Sequence, residues 1–170
     1  MKSSITYPAE DVVLGILEIE NGREAEKQGE RELLKQMLGY DVVLNHNEDG
    51  KPLIEGYNIS ISHTKGFVAI LLSEGLEVGI DIEYHSDRIQ KIARRFLRPD
   101  EIYTTTSDLL IAWCAKEAAY KLFSEEHLTY QEMKVNISEN QLIDLKTTVT
   151  INFVPLIHSE YVIVMCWANK

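Results

Sequence analysis

Apolar and polar positions follow one another along this chain in patterns that each assign an element. Residues 12–19 form an apolar run closed by Asn21-Gly22, which predicts a first strand. Ala25, Gly29, Leu33, Leu34, Met37 and Leu38 then recur at helical spacing. They predict a helix over 21–39, opened by Asn21 and Glu24 in a capping-box pattern and stopped by Gly39. Short apolar stretches at 42–44 and 52–54 flank Asn47-Glu48-Asp49-Gly50, where Asp-Gly marks a tight turn. Residues 57–62 and 67–72 read as paired strands joined by a His63-Thr64-Lys65-Gly66 loop.

In 78–83 the alternation is strict: Val78, Ile80 and Ile82 point to a core, while Gly79, Asp81 and Glu83 share a second, solvent-facing side. Gly79 leaves room on that side for a ligand to approach the backbone. Residues 87–97 predict an amphipathic helix that buries Ile89, Ile92, Phe96 and Leu97, with Arg88, Lys91, Arg95 and Arg98 as a basic stripe beside them. Pro99 heads a short turn over 100–103. Ser107 then caps a further helix that runs to about Phe123, in which Trp113, Glu117 and Lys121 stand four apart on one stripe, Trp113 as a core residue. Three strands near 133–137, 147–153 and 161–167 close the chain, with a turn at Asn140-Gln141.

The composition sets limits on this outline. A chain of 170 residues with 45% hydrophobic content can bury one core or two small halves that share one. The break at Ser73-Glu74-Gly75 divides it into 1–74 and 75–170. The net charge of −10 opposes broad attraction to nucleic acid or to anionic membrane. Cys114 and Cys166 read as buried thiols in a reducing compartment rather than a disulfide framework. With no apolar leader and no membrane-length run, a cytoplasmic protein is expected.

Candidate chemistry lies in two stretches, 78–83 and 113–121. If the helix stripe faces the strand, Asp81, Glu83 and Glu117 present three carboxylates. Oxygen donors of this kind, completed by water and phosphate, suit Mg²⁺. Lys116 and Lys121 add positive charge for phosphate groups beside it. Taken singly, each stretch is equally an exposed ion pair and a solvated strand edge.

Together, Gly79-Ile80-Asp81-Ile82-Glu83 and Trp113-x-x-Lys116-Glu117-Ala118-x-x-Lys121 resemble the signature of the 4′-phosphopantetheinyl transferases, in particular the surfactin-synthetase-activating type. The resemblance implies an α+β fold of two similar lobes in pseudo-twofold relation, with coenzyme A between them and, in so short a chain, a trimmed N-terminal lobe. It implies transfer of the 4′-phosphopantetheine arm of coenzyme A to a serine of an acyl or peptidyl carrier protein, with Mg²⁺ on Asp81, Glu83 and Glu117. Lys121 and Lys116 would assist, Asp81 would also contact the co-substrate, and Glu117 or a water on the metal would take the serine proton. Segments around Arg31, Lys51-Pro52 and Ser62-His63 match the family's coenzyme A contacts. The loop 124–128 departs from the glycine-rich loop common at that point. Carrier proteins of this kind are acidic, so the stripe Arg88, Lys91, Arg95 and Arg98 is expected to dock them. A monomer suffices for such a site. The alternatives are a catalytically silent module that binds coenzyme A or a nucleotide, and a scaffold whose charged helix faces are purely structural.

Overall fold

The computed structural model describes residues 2–170. The order is β1 (Ser3–Ala9), β2 (Val12–Glu18), α1 (Arg23–Leu38), β3 (Asn45–His46), β4 (Pro52–Leu53), β5 (Asn58–Thr64), β6 (Phe67–Ser73) and β7 (Glu77–Tyr84), followed by α2 (Arg88–Phe96) and α3 (Thr106–Leu122). Two short 3₁₀ turns, Ser124–Glu126 and Tyr130–Glu132, lead to β8 (Met133–Asn136), β9 (Gln141–Asp144), β10 (Val149–Ile157) and β11 (Tyr161–Ala168). The fold is mixed α and β. One antiparallel sheet runs β1-β2-β6-β5 and a second runs β7-β11-β10-β9-β8, while β3 and β4 form a small hairpin.

Three layers of core hold these pieces together. Leu33 and Leu34 of α1 bury against Leu17, Val68, Ile70 and Leu72 of the first sheet. Leu14, Ala69 and Leu71 of that sheet meet Ile80, Ile82 and Ile163 of the second. The far face of the second sheet, through Val162 and Val164, packs under α2 and α3. Alternation along each strand is what allows a sheet to serve two cores at once.

The seam between the sheets is unusual in its bonding. β7 is an edge strand, and its backbone N–H groups at Ile80, Ile82 and Tyr84 donate to the hydroxyls of Ser60, Ser62 and Thr64 on β5, at 3.1, 3.1 and 3.2 Å. Side chains thus take the place of a backbone ladder, and an otherwise open edge is satisfied.

Several local expectations are corrected by the fold. α1 is opened by Gly22 at φ 114°, without a side-chain cap from Asn21, although Gly39 ends it in the left-handed conformation as expected. His63 and Thr64 continue β5, so the turn to β6 is Lys65-Gly66 alone. A turn does form at Pro99-Asp100, closed by the Glu101 N–H donating to the Arg98 carbonyl at 3.0 Å, but it does not extend over 101–103. α3 is capped by Thr105, whose hydroxyl accepts from the Asp108 N–H at 3.1 Å, and not by Ser107. Asn140 takes the turn at φ 50°, while Gln141 already belongs to β9. Among the described residues no helix is long and apolar enough to cross a membrane.

Candidate active site

The close approach of β7 and α3 builds the site, and Gly79 is what permits it. A Cβ there would collide with the Ala118 carbonyl oxygen of α3. Glycine lets the helix backbone lie directly on the strand. The space expected for a ligand is therefore occupied by α3, and Asp81 on the same side is only 6% exposed rather than solvent-facing.

The stripe of Trp113, Glu117 and Lys121 does run along this side of β7. The Trp113 indole N–H donates to Glu83 Oε1 at 3.2 Å, and Lys121 Nζ stands 3.5 Å from Asp81 Oδ1. Glu117 accepts at Oε1 from the Tyr130 hydroxyl at 2.8 Å. Asp81 Oδ1 also accepts from the Ser62 hydroxyl at 3.0 Å.

The three carboxylates lie within one another's field. Burial raises Asp81 from 3.8 to about 6; Lys121 opposes that shift and the charge on Glu117 adds to it. Burial also raises Glu83 to about 7, with the charge on Asp81 as the next cause. Asp81 Oδ2 is buried without a hydrogen-bond partner among the described residues, although the Cys114 thiol lies beside that carboxylate. As the side chains stand, no three His, Cys, Asp or Glu groups among the described residues converge on one point. Trp113 and Tyr130 each hold one glutamate oxygen. The donor set fits a hard divalent cation all the same: it is all oxygen, one of its atoms is buried and unsatisfied, and its repulsion would be relieved by positive charge.

A cleft of about 270 Å³ opens beside these groups, lined by Lys51, Pro52, Ser60, Glu117, Tyr120 and Lys121. Lys51 pairs with Glu77 at 3.4 Å at its edge. The other expected contacts lie elsewhere. Arg31 lines a larger cavity of about 750 Å³ along α1, where Glu20, Glu32 and Asp41 face it. His63 is held by Glu26 of α1, Nδ1 to Oε1 at 3.4 Å, and does not line the cleft. The single proton of the Ser62 hydroxyl goes to Asp81, so this group is not poised to donate to a phosphate.

Neither lysine stands as the helix stripe implied. Lys121 donates to the carbonyls of Ile80 and Ile61 at 2.8 and 3.2 Å and turns toward Asp81, so all three ammonium protons have partners. Lys116 is fully buried, in a pair with Glu101 at 2.5 Å, and donates to the Phe96 and Tyr130 carbonyls at 2.6 and 3.1 Å. Its ammonium is a structural charge inside the core and takes no part in the cleft. Burial lowers its pKa, and Glu101 opposes that fall.

Tyr130, Glu101, Ser60 and Thr64 were not singled out by the sequence. Only the Thr129-x-x-Glu132 spacing, which forms a true capping box around Tyr130, carried a local signal. Both cysteines are free and buried; burial pushes Cys166 up to about 12 and Cys114 well above its ordinary value, so both are inert.

A family model described as the 4′-phosphopantetheinyl transferase superfamily matches residues 77–166, more than half of the chain. The match runs from β7 into β11 and so includes Asp81, Glu83, Glu117 and Lys121. No curated protein matches the chain.

Proposed function

Because this chain belongs to the 4′-phosphopantetheinyl transferase superfamily, we propose that it transfers the 4′-phosphopantetheine arm of coenzyme A to a serine of an apo acyl or peptidyl carrier protein, in the manner of the surfactin-synthetase-activating type. The observation that carries this reading is the buried, unpartnered Oδ2 of Asp81, set among the like charges of Glu83 and Glu117 beside a cleft. Asp81, Glu83 and Glu117 would hold Mg²⁺. Bound there, the ion would neutralise charge on the diphosphate.

The reaction is an in-line displacement. The serine Oγ forms a bond to the phosphorus that bears the pantetheine arm, and the bond from that phosphorus to the bridging oxygen breaks. That oxygen leaves with its electron pair on adenosine 3′,5′-bisphosphate. The serine proton passes to Glu117, the carboxylate of α3 that lines the cleft. Lys121 contributes its positive field rather than a hydrogen bond, since its protons are engaged. Lys51 and Pro52, on the cleft wall, meet the nucleotide end of coenzyme A. The first 74 residues and the remainder then act as two lobes of one monomer.

The test is a mixture of protein, coenzyme A, Mg²⁺ and apo carrier protein, followed by the intact mass of the carrier. A phosphopantetheine-sized gain that chelation abolishes supports the reading. No gain with carriers from fatty-acid, polyketide and peptide synthesis sinks it, and coenzyme A binding without transfer would favour the silent module.

A further inference from the structure

Residues 129–132 are braced more heavily than a connecting turn requires. Thr129 and Glu132 close a reciprocal capping box around the 3₁₀ turn. The Tyr130 carbonyl accepts from the buried Lys116 ammonium at 3.1 Å, Gln131 Nε2 donates to the Leu97 carbonyl at 3.1 Å, and the Arg98 guanidinium donates to the Gln131 carbonyl. Lys116 is itself fixed by Glu101, whose other oxygen accepts from the Val135 N–H at 2.7 Å. Its own capping box, α3 and the segment that follows α2 thus hold the turn that carries this tyrosine in place.

Two consecutive residues of α3 grip the two ends of that tyrosine. Lys116 holds its backbone carbonyl, and Glu117 accepts from its hydroxyl at 2.8 Å. The ring packs on Trp113 with centroids 5.5 Å apart, and Trp113 in turn donates to Glu83. A carboxylate left to rotate freely would populate several orientations, and an ordered donor on one oxygen removes that freedom while leaving the other available.

We propose that Tyr130 is a positioning residue, whose hydroxyl fixes the Glu117 carboxylate so that its second oxygen serves the cation and the incoming serine. The buried Lys116–Glu101 pair is the mount that keeps the phenol in register with α3. This inference rests on the transferase reading given above and assigns a role to a side chain outside the acidic motif.

The test compares wild type, Tyr130→Phe, Tyr130→Leu, Glu117→Ala and the double variant Tyr130→Phe/Glu117→Ala. Mn²⁺ binding is followed by electron paramagnetic resonance, with thermal midpoint and transfer rate measured alongside. Tyr130→Phe keeps the ring on Trp113, so its midpoint should stay near that of wild type, while Mn²⁺ affinity and kcat each fall about ten- to a hundredfold. Tyr130→Leu should lower the midpoint as well. In the Glu117→Ala background, removing the hydroxyl should change nothing further, because the group it acts through is gone. Wild-type Mn²⁺ affinity and turnover in Tyr130→Phe, or a full additional loss in the double variant, overturns the positioning role. Wild type that neither binds Mn²⁺ nor modifies any carrier instead removes the transferase reading, and this inference with it.

Discussion

Lys121 joins three groups at the seam between the two sheets. Its ammonium bridges the Ile61 and Ile80 carbonyls across the β5–β7 seam and faces Asp81. Replacing it with methionine keeps most of the aliphatic stem but leaves two carbonyls without a donor and the carboxylate without its counter-charge. A buried acceptor left unmet costs about 1–3 kcal/mol. Water can reach this one, since the lysine is 30% exposed. Lys121→Met should therefore lower the free energy of unfolding by about 2 kcal/mol in denaturant titration, as well as slow transfer. Arginine should restore the charge without restoring both carbonyl contacts, because its flat fork cannot follow the ammonium geometry. An unaltered unfolding midpoint for the methionine variant would mean that the seam does not depend on this contact.

At the scale of elements, α2 carries a row of exposed basic side chains that, on the proposed function, faces the protein substrate. Arg88, Lys91, Arg94 and Arg95 are exposed along it, whereas Arg98 is turned away to Asp100 and Gln131. A cavity of about 230 Å³ joins Arg88, Ile89 and Ile92 of α2 to Glu83 and Trp113, so the helix stands next to one of the three carboxylates. An acidic carrier would be steered to this face against the overall charge of −10. Reversing Lys91 and Arg95 to glutamate should lower kcat/KM for the carrier about tenfold or more at low ionic strength, with coenzyme A affinity unchanged and the salt dependence weakened. Transfer at the wild-type rate in low salt would place docking on another surface.

For the whole molecule, the acidic site carries a stability cost that pH reveals. Asp81 and Glu83 bind their protons more tightly when folded, at about 6 and 7, than the ordinary 3.8 and 4.5 of an open chain. Between those limits the folded state holds more protons than the unfolded one. The stability these groups contribute is fully present below the ordinary carboxylate range and is lost as pH rises through the folded values. In chelator-treated protein the thermal midpoint should accordingly fall between about pH 4 and pH 7, and Asp81→Asn should flatten that slope. Saturating Mg²⁺ should raise the midpoint most near neutral pH, where the carboxylates are charged. A midpoint that climbs over the same range without metal would contradict the burial of these groups.

Local periodicity is carried by a handful of neighbouring residues, and it was legible along the chain for most elements that bury one face. That holds for β2, α1, β5 to β7, α2 and α3, and for the stripe that sets Trp113, Glu117 and Lys121 against Asp81 and Glu83. β1 left no such mark, because it is an edge strand exposed along most of its length; β9, four residues long, was equally silent. The side of β7 that looks solvated in sequence is covered by α3, because Gly79 admits the helix backbone. Likewise Lys116 and Lys121 look alike in the motif, yet one ends in the core with Glu101 and the other at the seam. The pairing of Lys116 with Glu101, of Glu117 with Tyr130, and of three β5 hydroxyls with the edge of β7 joins residues 13 to 20 positions apart. Sequence determined which faces were apolar and which carboxylates stood on them. Only the packing of helix on strand decided which polar atoms would be left to find partners, since that depends on what each buried group meets once water has been excluded.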